Sequence, residues 1–97
     1  MSINFNLQND NHLILKGDLV FHNIEKMEKQ FHDVLSSQTA ITVDLAGIAA
    51  VDTSGLALLI TWKHNAKKKN IQLDFNNVPQ KLQSIAELSG VQEFFNI

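Results

Sequence analysis

Residues 51–56 are Val-Asp-Thr-Ser-Gly-Leu, and this short stretch decides both the fold and the place where function is sought. It lies between an apolar, β-branched run, Ile41 to Leu45, and an apolar run of helical character, Leu56 to Ala66. A helix start leaves about four backbone N–H groups without partners in the helix. Asp, Thr, Ser and Gly are the residue types that satisfy or expose such groups. The stretch therefore predicts a strand passing into a helix, at a turn able to cap the helix, hold a phosphate or receive one.

Strands are predicted on both sides of residues 51–56. The first alternates apolar and polar residues, and the second, His12 to Lys16, pairs back on it as a hairpin and ends at Gly17-Asp18. The third, Ala40 to Leu45, is a central buried strand, and the fourth alternates like the first. The apolar positions of the first and fourth strands are Ile3, Phe5 and Leu7, and Ile71, Leu73 and Phe75.

Helices are predicted between the strands, because apolar residues recur there at steps of three and four. The first begins near Asn23, the second continues from residues 51–56 to about Lys69, and the third begins at Pro79 and ends at Gly90. Their inward residues are Ile24, Met27, Phe31, Val34 and Leu35; Leu58, Leu59, Trp62 and Ala66; and Leu82, Ile85, Ala86 and Leu88. An apolar tail is expected to pack back on the sheet, through Val91, Phe94, Phe95 and Ile97.

The order of these elements predicts an α/β fold in one domain spanning residues 1–97. Strand–helix–strand units pair their strands in parallel and lay the helices on the sheet, so we expect a mixed, mainly parallel four-stranded sheet covered by helices. In open sheets of this kind the binding site lies beyond the carboxyl ends of the central strands. Asp52 to Gly55 follow the most buried strand, so geometry and chemistry indicate the same place.

Bulk composition excludes several classes of function. The 97 residues are 44% hydrophobic and 19% charged, as in a globular protein, and a formal net charge of −2 gives no general attraction to nucleic acid or anionic membrane. The absence of cysteine excludes disulfides, thiolate catalysis and cysteine-ligated metals. The longest near-continuous apolar run, Leu56 to Ile60, is far shorter than the ~20 residues that span a bilayer. With no signal-peptide pattern, we expect a soluble, cytoplasmic protein.

An enzyme is the least expected class. His12, His22, His32 and His64 have no i,i+4 spacing to one another and no carboxylate-rich ligand set beside them, so no metal site is predicted. Ser54 does not lie in a Gly-x-Ser-x-Gly motif, and the chain has neither a Gly-rich phosphate loop with a lysine nor a dinucleotide fingerprint. Neither catalytic residues nor a cofactor are therefore predicted.

The outward side of the predicted second helix is a candidate contact surface, formed by Ala57, Ile60, Thr61 and His64. An exposed Ile and Ala beside the Asp-Thr-Ser turn would suit a protein–protein contact. The alternative is that Ile60 lies at the edge of a wide apolar arc. Lys67 to Lys69, with Lys63 upstream, are interpreted as a solvated helix end whose cations complement the helix dipole.

The order of elements and several motifs resemble those of STAS domains, the module shared by sulfate transporters and anti-sigma factor antagonists. The resemblance covers essentially the whole chain. The matching segments are Gly17-Asp18-Leu19; Val43-Asp44-Leu45 with Ile48 and Val51-Asp52; Thr53-Ser54-Gly55-Leu56; and Leu82, Ile85, Leu88, Gly90 and Phe94-Phe95.

Two branches of this family compete. Asp52-Thr53, Gly55 to Leu59 and Ala66-Lys67-Lys68 are similar to the MlaB-type STAS subunit of the Mla phospholipid ABC transporter. That resemblance implies a non-catalytic cytoplasmic accessory subunit, peripheral to the inner membrane, which binds the transporter ATPase within a complex with the permease and serves outer-membrane lipid asymmetry. The partner-binding residues are then expected to be Asp52, Thr53, Ser54, Gly55, Ala57, Ile60, Thr61 and His64.

Ser54 stands where glycine is expected in the MlaB-type branch, and it keeps the other branch open. Anti-sigma factor antagonists usually carry Asp-Ser-Ser-Gly-Leu-Gly, and an anti-sigma factor kinase phosphorylates the second hydroxyl. That position falls on Ser54, and Thr53 is the neighbouring candidate for phosphorylation. In either branch, one hydroxyl is expected to cap the helix while the other faces a partner.

Overall fold

A four-stranded sheet in the order β1-β2-β3-β4 organises the molecule. The computed structural model describes residues 2–9, 11–36 and 38–95, so the prediction that Ile97 packs back on the sheet lies outside the described residues. β1 and β2 are antiparallel, whereas β2–β3 and β3–β4 are parallel, which confirms the predicted mixed, mainly parallel sheet. The elements are β1 (Ile3–Gln8), β2 (His12–Leu19), a 3-10 turn (Phe21–Asn23), α1 (Ile24–Leu35), β3 (Ala40–Val51), α2 (Thr53–Lys68), β4 (Gln72–Asn76), α3 (Gln80–Leu88) and a second 3-10 turn (Gln92–Phe95).

Side chains that alternate along the strands divide the sheet into a buried face and a polar face. The buried face consists of Ile3, Leu13, Leu15, Ile41, Val43, Leu45, Leu73 and Phe75, each at most 6% exposed. The opposite face includes Asn4, Asn6, Lys16, Thr42, Asp44 and Asp74. Buried residues of all three α-helices join one core with the apolar face. The helices therefore cover one side of the sheet and leave the other side polar.

The packing of α1 on α2 is centred on two aromatic side chains. The rings of Phe31 and Trp62 stack with 3.9 Å between centroids and 8° between planes. Phe5 of β1 meets Trp62 edge-on at 6.4 Å. The predicted inward residues Leu58, Leu59, Trp62 and Ala66 of α2 are all buried.

β2 is longer than predicted. Gly17 and Asp18 were expected to end it, but the strand continues to Leu19 through two register shifts against β3. Gly17 has a φ of +115°, which glycine adopts far more readily than other residues. A Cβ atom at this position would also collide with the carbonyl oxygen of Ser2. The glycine thus bends the strand and does not terminate it.

β3 also extends past its predicted end at Leu45. Its second half runs to Val51 and pairs in parallel with the bulged end of β2, with Leu19 opposite Val51. Residues 46–50 are small apart from Ile48, and they lack strict alternation of buried and exposed positions. Backbone pairing with β2 holds this half of the strand in the sheet. Such pairing leaves little pattern in the sequence.

α3 ends where predicted, but its last residue points away from the core. Gly90 has a φ of +72°, and the N–H groups of Gly90 and Val91 donate to Glu87 and Ala86 in a Schellman motif. Leu88, predicted to face inward, is 89% exposed. It follows Ala86 by two residues, and 3.6 residues per turn place it on the opposite side of the helix.

The chain after α3 returns to the sheet, as predicted. Phe95 is buried, and its ring lies 5.1 Å from that of Phe75 in β4. Val91 and Phe94 pack partly buried against the same core. Among the described residues, no helix combines the length and the hydrophobicity needed to cross a membrane.

Candidate functional site

β2 and β3 end side by side, and α2 begins directly above their ends. The N–H of Asp52 donates to the carbonyl of Leu19 at 3.2 Å, which continues the pairing of the two strands by one residue. Leu19, Val51 and Leu56 are buried beneath this junction. Residues 52–55 therefore lie at the carboxyl ends of the two central strands, where the sequence placed them.

Asp52 caps α2 and also holds the chain that leaves β2. One carboxylate oxygen, Oδ1, accepts a hydrogen bond from the N–H of Gly55 at 2.9 Å. The other, Oδ2, accepts from the N–H of Phe21 at 3.0 Å, across 31 positions of sequence. The expectation that a hydroxyl caps this helix is thus wrong, because the carboxylate does so. Both oxygens of Asp52 are committed to internal contacts.

These contacts favour the ionised form of the Asp52 carboxyl group. Its partial burial alone would raise the pKa, since desolvation disfavours the charged form. The N–H groups of Phe21, Gly55 and Ser54 stabilise the carboxylate and outweigh that effect, so the pKa of Asp52 lies below its ordinary value. The link between α2 and the β2–α1 connection therefore carries a full negative charge at neutral pH.

Gly55 is buried, so the expectation that it belongs to an exposed contact surface is corrected. A Cβ atom built on it would collide with the carbonyl oxygen and side chain of Leu19. The absence of a side chain lets the first turn of α2 approach the end of β2. Gly55 therefore determines how closely α2 packs on the end of β2.

Thr53 and Ser54 occupy the first two positions of α2 and are accessible to different degrees. Thr53 is exposed and Ser54 is half-buried. Because the Asp52 carboxylate makes the cap, neither hydroxyl is needed for it. Both hydroxyls thus lie at a helix N-terminus, where negative charge is favoured.

The outward face of α2 continues from Thr53 along the helix. Ala57, Thr61 and His64 are exposed, and the Thr61 hydroxyl donates to the carbonyl of Ala57 at 2.9 Å. Ile60 is only partly exposed and packs against the core. It therefore lies at the edge of the apolar arc, the second of the two interpretations given for it.

Lys63 does not belong to the solvated basic end of α2, where it was grouped. Its ammonium donates to the carbonyl of Leu73 at 2.6 Å and lies 5.7 Å from the centre of the Phe75 ring. The lysine therefore ties α2 to β4 by a hydrogen bond and a cation–π contact.

Phe21 is a feature of this site that the sequence did not reveal. It follows β2 in the 3-10 turn, and its side chain is 75% exposed even though its N–H is bonded to Asp52. The sequence pattern predicts burial for this residue, because Phe21 continues the alternation of Leu13, Leu15 and Leu19 and precedes Ile24 by three positions. No local pattern indicates a contact with Asp52, because that contact is formed by the tertiary fold.

An open cleft of about 740 Å³ lies between α1 and α2, away from the turn at residues 52–55. Phe31 and Trp62 form its floor. Its remaining walls come largely from the later turns of both helices, including His32, Asn65 and Lys69. The sequence did not predict this cleft. It lies near the opposite end of α2 from Asp52.

Comparison with known families identifies the class of protein. A family model described as "Mlab, STAS domain" matches residues 5–96. The chain therefore belongs to the MlaB-type STAS domain family. STAS domains act in regulation and protein interaction, and the match indicates no family of enzymes.

Solved structures of low sequence identity share the fold. The Bacillus cell fate determinant SpoIIAA in its phosphorylated form has a TM-score of 0.73 at 13% identity, over 97% of this chain and 88% of that one. The anti-sigma factor antagonist SpoIIAA in its unphosphorylated form gives 0.76 at 13% identity, over 97% and 85%. A sulfate transporter family protein from Wolinella succinogenes gives 0.71 at 12% identity, over 91% and 73%. These similarities support the α/β STAS fold.

Proposed function

We propose that residues 1–97 form a single STAS domain that acts as a non-catalytic accessory subunit of an Mla-type ABC transporter. In this role the chain binds the transporter ATPase at the cytoplasmic side of the inner membrane, in the complex with the permease, and supports phospholipid transport. The observation that carries the proposal is the family match, which is to the MlaB-type branch and extends over residues 5–96.

The surface we assign to the ATPase begins at Thr53 and follows the outer face of α2. Thr53, Ala57 and Thr61 recur at steps of four residues, so they lie one above the other on a single helix face. All three are exposed, and their small side chains permit close approach of a partner. His64 and the exposed part of Ile60 border this stripe.

Binding at this surface can regulate the ATPase only by differential affinity. A ligand shifts an equilibrium between two conformations by as much as it binds one of them more tightly than the other. Here the cap by Asp52 and the close contact of Gly55 with Leu19 fix the first turn of α2. A rigid surface of this kind favours the ATPase conformation that it fits.

Affinity capture of the tagged chain from its native cells tests the proposal, with Thr53→Glu run alongside. We expect wild type to recover an ABC ATPase with its permease and Thr53→Glu to lose both. A glutamate in the first helical turn is favoured by the helix dipole by about 0.3–1 kcal/mol and opposed by the neighbouring Asp52 carboxylate, so we expect an unchanged melting temperature, which shows that loss of binding does not reflect unfolding. Ser84→Glu is the matched control, since Ser84 is an exposed helix residue on α3. Capture of no transporter subunit by wild type would refute the proposal.

A second candidate function, an anti-sigma factor antagonist switched by phosphorylation, is favoured by the hydroxyl at residue 54. Ser54 is half-buried at the second position of α2 and is not used by the cap. A phosphate there would add roughly −1.5 to −2 charges. The helix N-terminus would favour that charge and the nearby Asp52 carboxylate would oppose it, so the phosphate would act mainly on partner binding.

This second function is tested by the same capture with Ser54→Glu, together with intact-mass spectrometry of the native protein. Recovery of an anti-sigma factor kinase by wild type, its loss with Ser54→Glu, and a mass increase of one phosphate would establish the switch. Absence of a phosphorylated form under every growth condition, with no kinase recovered, would exclude it.

A further inference from the structure

The side chain of Phe21 is exposed in a protein that buries most of its aromatic surface. Phe31, Phe75 and Phe95 are buried, and Phe5 and Phe94 are partly buried. Phe21, by contrast, is 75% exposed. Single exposed apolar residues are common on protein surfaces, so exposure alone does not indicate a function. What distinguishes Phe21 is how its backbone is held.

Three hydrogen bonds fix the turn that carries Phe21. Its own N–H donates to Asp52 Oδ2 at 3.0 Å. The buried amide of Asn23 donates to the carbonyl of Asp18 at 2.8 Å, and the Asn23 N–H donates to the carbonyl of Val20 at 2.9 Å. An aromatic side chain on a fixed backbone loses little conformational entropy on binding, which is typical of the anchor residues of protein interfaces.

The position of Phe21 makes it continuous with the surface assigned above to the ATPase. Asp52 bonds Phe21 through one oxygen and the first turn of α2 through the other, and Thr53 is the next residue. The charge that the structure places directly against Phe21 is negative, since its N–H donates to the Asp52 carboxylate at 3.0 Å. In the sequence, Asp18 and Glu25 lie within four positions of Phe21, and Lys16 and Lys26 lie five positions away. A complementary partner therefore offers an apolar socket bordered by basic side chains.

We propose that Phe21 is the aromatic anchor of this interface, that it enters an apolar, basic-rimmed socket on the transporter ATPase, and that Asp52 is the residue that positions it. This inference rests on the proposed function and extends it, because it assigns to the β2–α1 connection the contact that contributes most to affinity. The face of α2 then supplies the flat surroundings of that contact.

The test is the affinity of the purified chain for the purified ATPase subunit of the Mla-type transporter from the same organism. We expect Phe21→Ser to weaken binding by roughly tenfold or more, the loss typical of a central anchor residue. Its melting temperature should stay at the wild-type value, since the side chain contributes little to the core. Leu88→Ser is the matched control, because Leu88 is also a large exposed apolar residue, on α3 at 89% exposure. Its affinity should equal that of wild type.

The positioning role of Asp52 is tested by Asp52→Asn, which has one acceptor oxygen where the carboxylate has two. The asparagine can still cap α2, but it cannot also hold the N–H of Phe21. We expect Asp52→Asn to weaken ATPase binding in the presence of Phe21 and to have little further effect once Phe21→Ser is present. Equal effects in both backgrounds would overturn the positioning role.

The outcomes separate this inference from the proposed function. If wild type does not bind the ATPase, the proposed function fails and the anchor fails with it. If Thr53→Glu abolishes binding while Phe21→Ser binds like wild type, the function stands and the anchor is refuted. The anchor is also refuted if Phe21→Ser converts a dimer to a monomer by light scattering with unchanged ATPase affinity, since Phe21 would then contact a second copy of the chain.

Discussion

At the scale of single residues, the two carboxylate oxygens of Asp52 hold the start of α2 and the β2–α1 connection together. The pKa of this carboxyl group is lowered in the folded state, so the stabilisation it provides is complete above the ordinary aspartate value of about 3.9. It is lost as the pH falls below that value and through the lower native pKa. We expect the free energy of unfolding of Asp52→Asn, measured by urea titration, to fall less than that of wild type between about pH 5 and pH 3.

Asp44 provides an independent comparison for this acid sensitivity. The side-chain amide of Asn77 and the N–H of Ala46 both donate to its carboxylate and lower its pKa. Asp44→Asn should therefore also reduce the loss of stability at acid pH, and the double variant should lose less than either single one. If the free energy of unfolding of Asp52→Asn falls as steeply as that of wild type between about pH 5 and pH 3, the prediction for Asp52 is contradicted.

The second prediction at this scale concerns the loss of stability when Gly55 gains a side chain. A methyl group there would collide with the backbone of Leu19, which cannot move without disturbing both central strands. We expect Gly55→Ala to lower the free energy of unfolding by about 1–3 kcal/mol, as overpacking does in rigid cores. Gly90→Ala is a useful comparison, since its Cβ meets open space and only the positive φ opposes it. A smaller loss at Gly55 than at Gly90 would show that the junction can relax.

At the scale of elements, α2 ends as distinctly as it begins. Asn70 follows the helix with a φ of +58°, and the N–H groups of Asn70 and Ile71 donate to Lys67 and Ala66 at 3.1 and 2.8 Å. Glycine adopts this conformation with less strain than asparagine. We expect Asn70→Gly to raise thermal stability and Asn70→Ala to lower it by about 1 kcal/mol. An increase in melting temperature for Asn70→Ala would contradict the left-handed geometry.

The elements also show which features a sequence pattern can predict. Helices α1, α2 and α3 were predicted because their buried residues recur at helical spacing, and the end of α3 at Gly90 was predicted from local backbone chemistry. The second half of β3 was missed because pairing with β2 through backbone hydrogen bonds leaves no alternation. Leu88 was assigned to the core by its apolar nature alone, although its angular position on α3 places it outside.

At the scale of the whole molecule, the two central strands should be the most stable part of the fold. β2 and β3 pair on both sides and lie beneath the helices, whereas β1 and β4 form the edges. By hydrogen exchange monitored with NMR, we expect the amides of Leu13–Leu15 and Ile41–Leu45 to open with free energies near that of global unfolding. Those of β1 and β4 should exchange faster. Equal protection in β4 and β3 would contradict this order.

The whole fold was predictable because the order of strands and helices restricts the topology strongly, and the position of residues 52–55 followed from that order. The partnership of Asp52 with Phe21 was not predictable, since it joins residues 31 positions apart through one hydrogen bond. Such contacts depend on the bulged end of β2 and on the close approach of Gly55. The capacity of residues 52–55 to cap a helix or to carry a phosphate could be inferred from their residue types. The side chains and backbone groups that contact them could be identified only from the structure.

The first turn of α2 also has a consequence for how such a protein can diverge. The Asp52 carboxylate is held by two hydrogen bonds and Gly55 is buried against Leu19, while the side chains at 53 and 54 are not needed for the cap. A lineage can therefore gain or lose a phosphorylatable hydroxyl at either position without losing its ability to fold. A single substitution at residue 53 or 54 is then enough to separate a domain that a kinase can regulate from one that binds its partner constitutively.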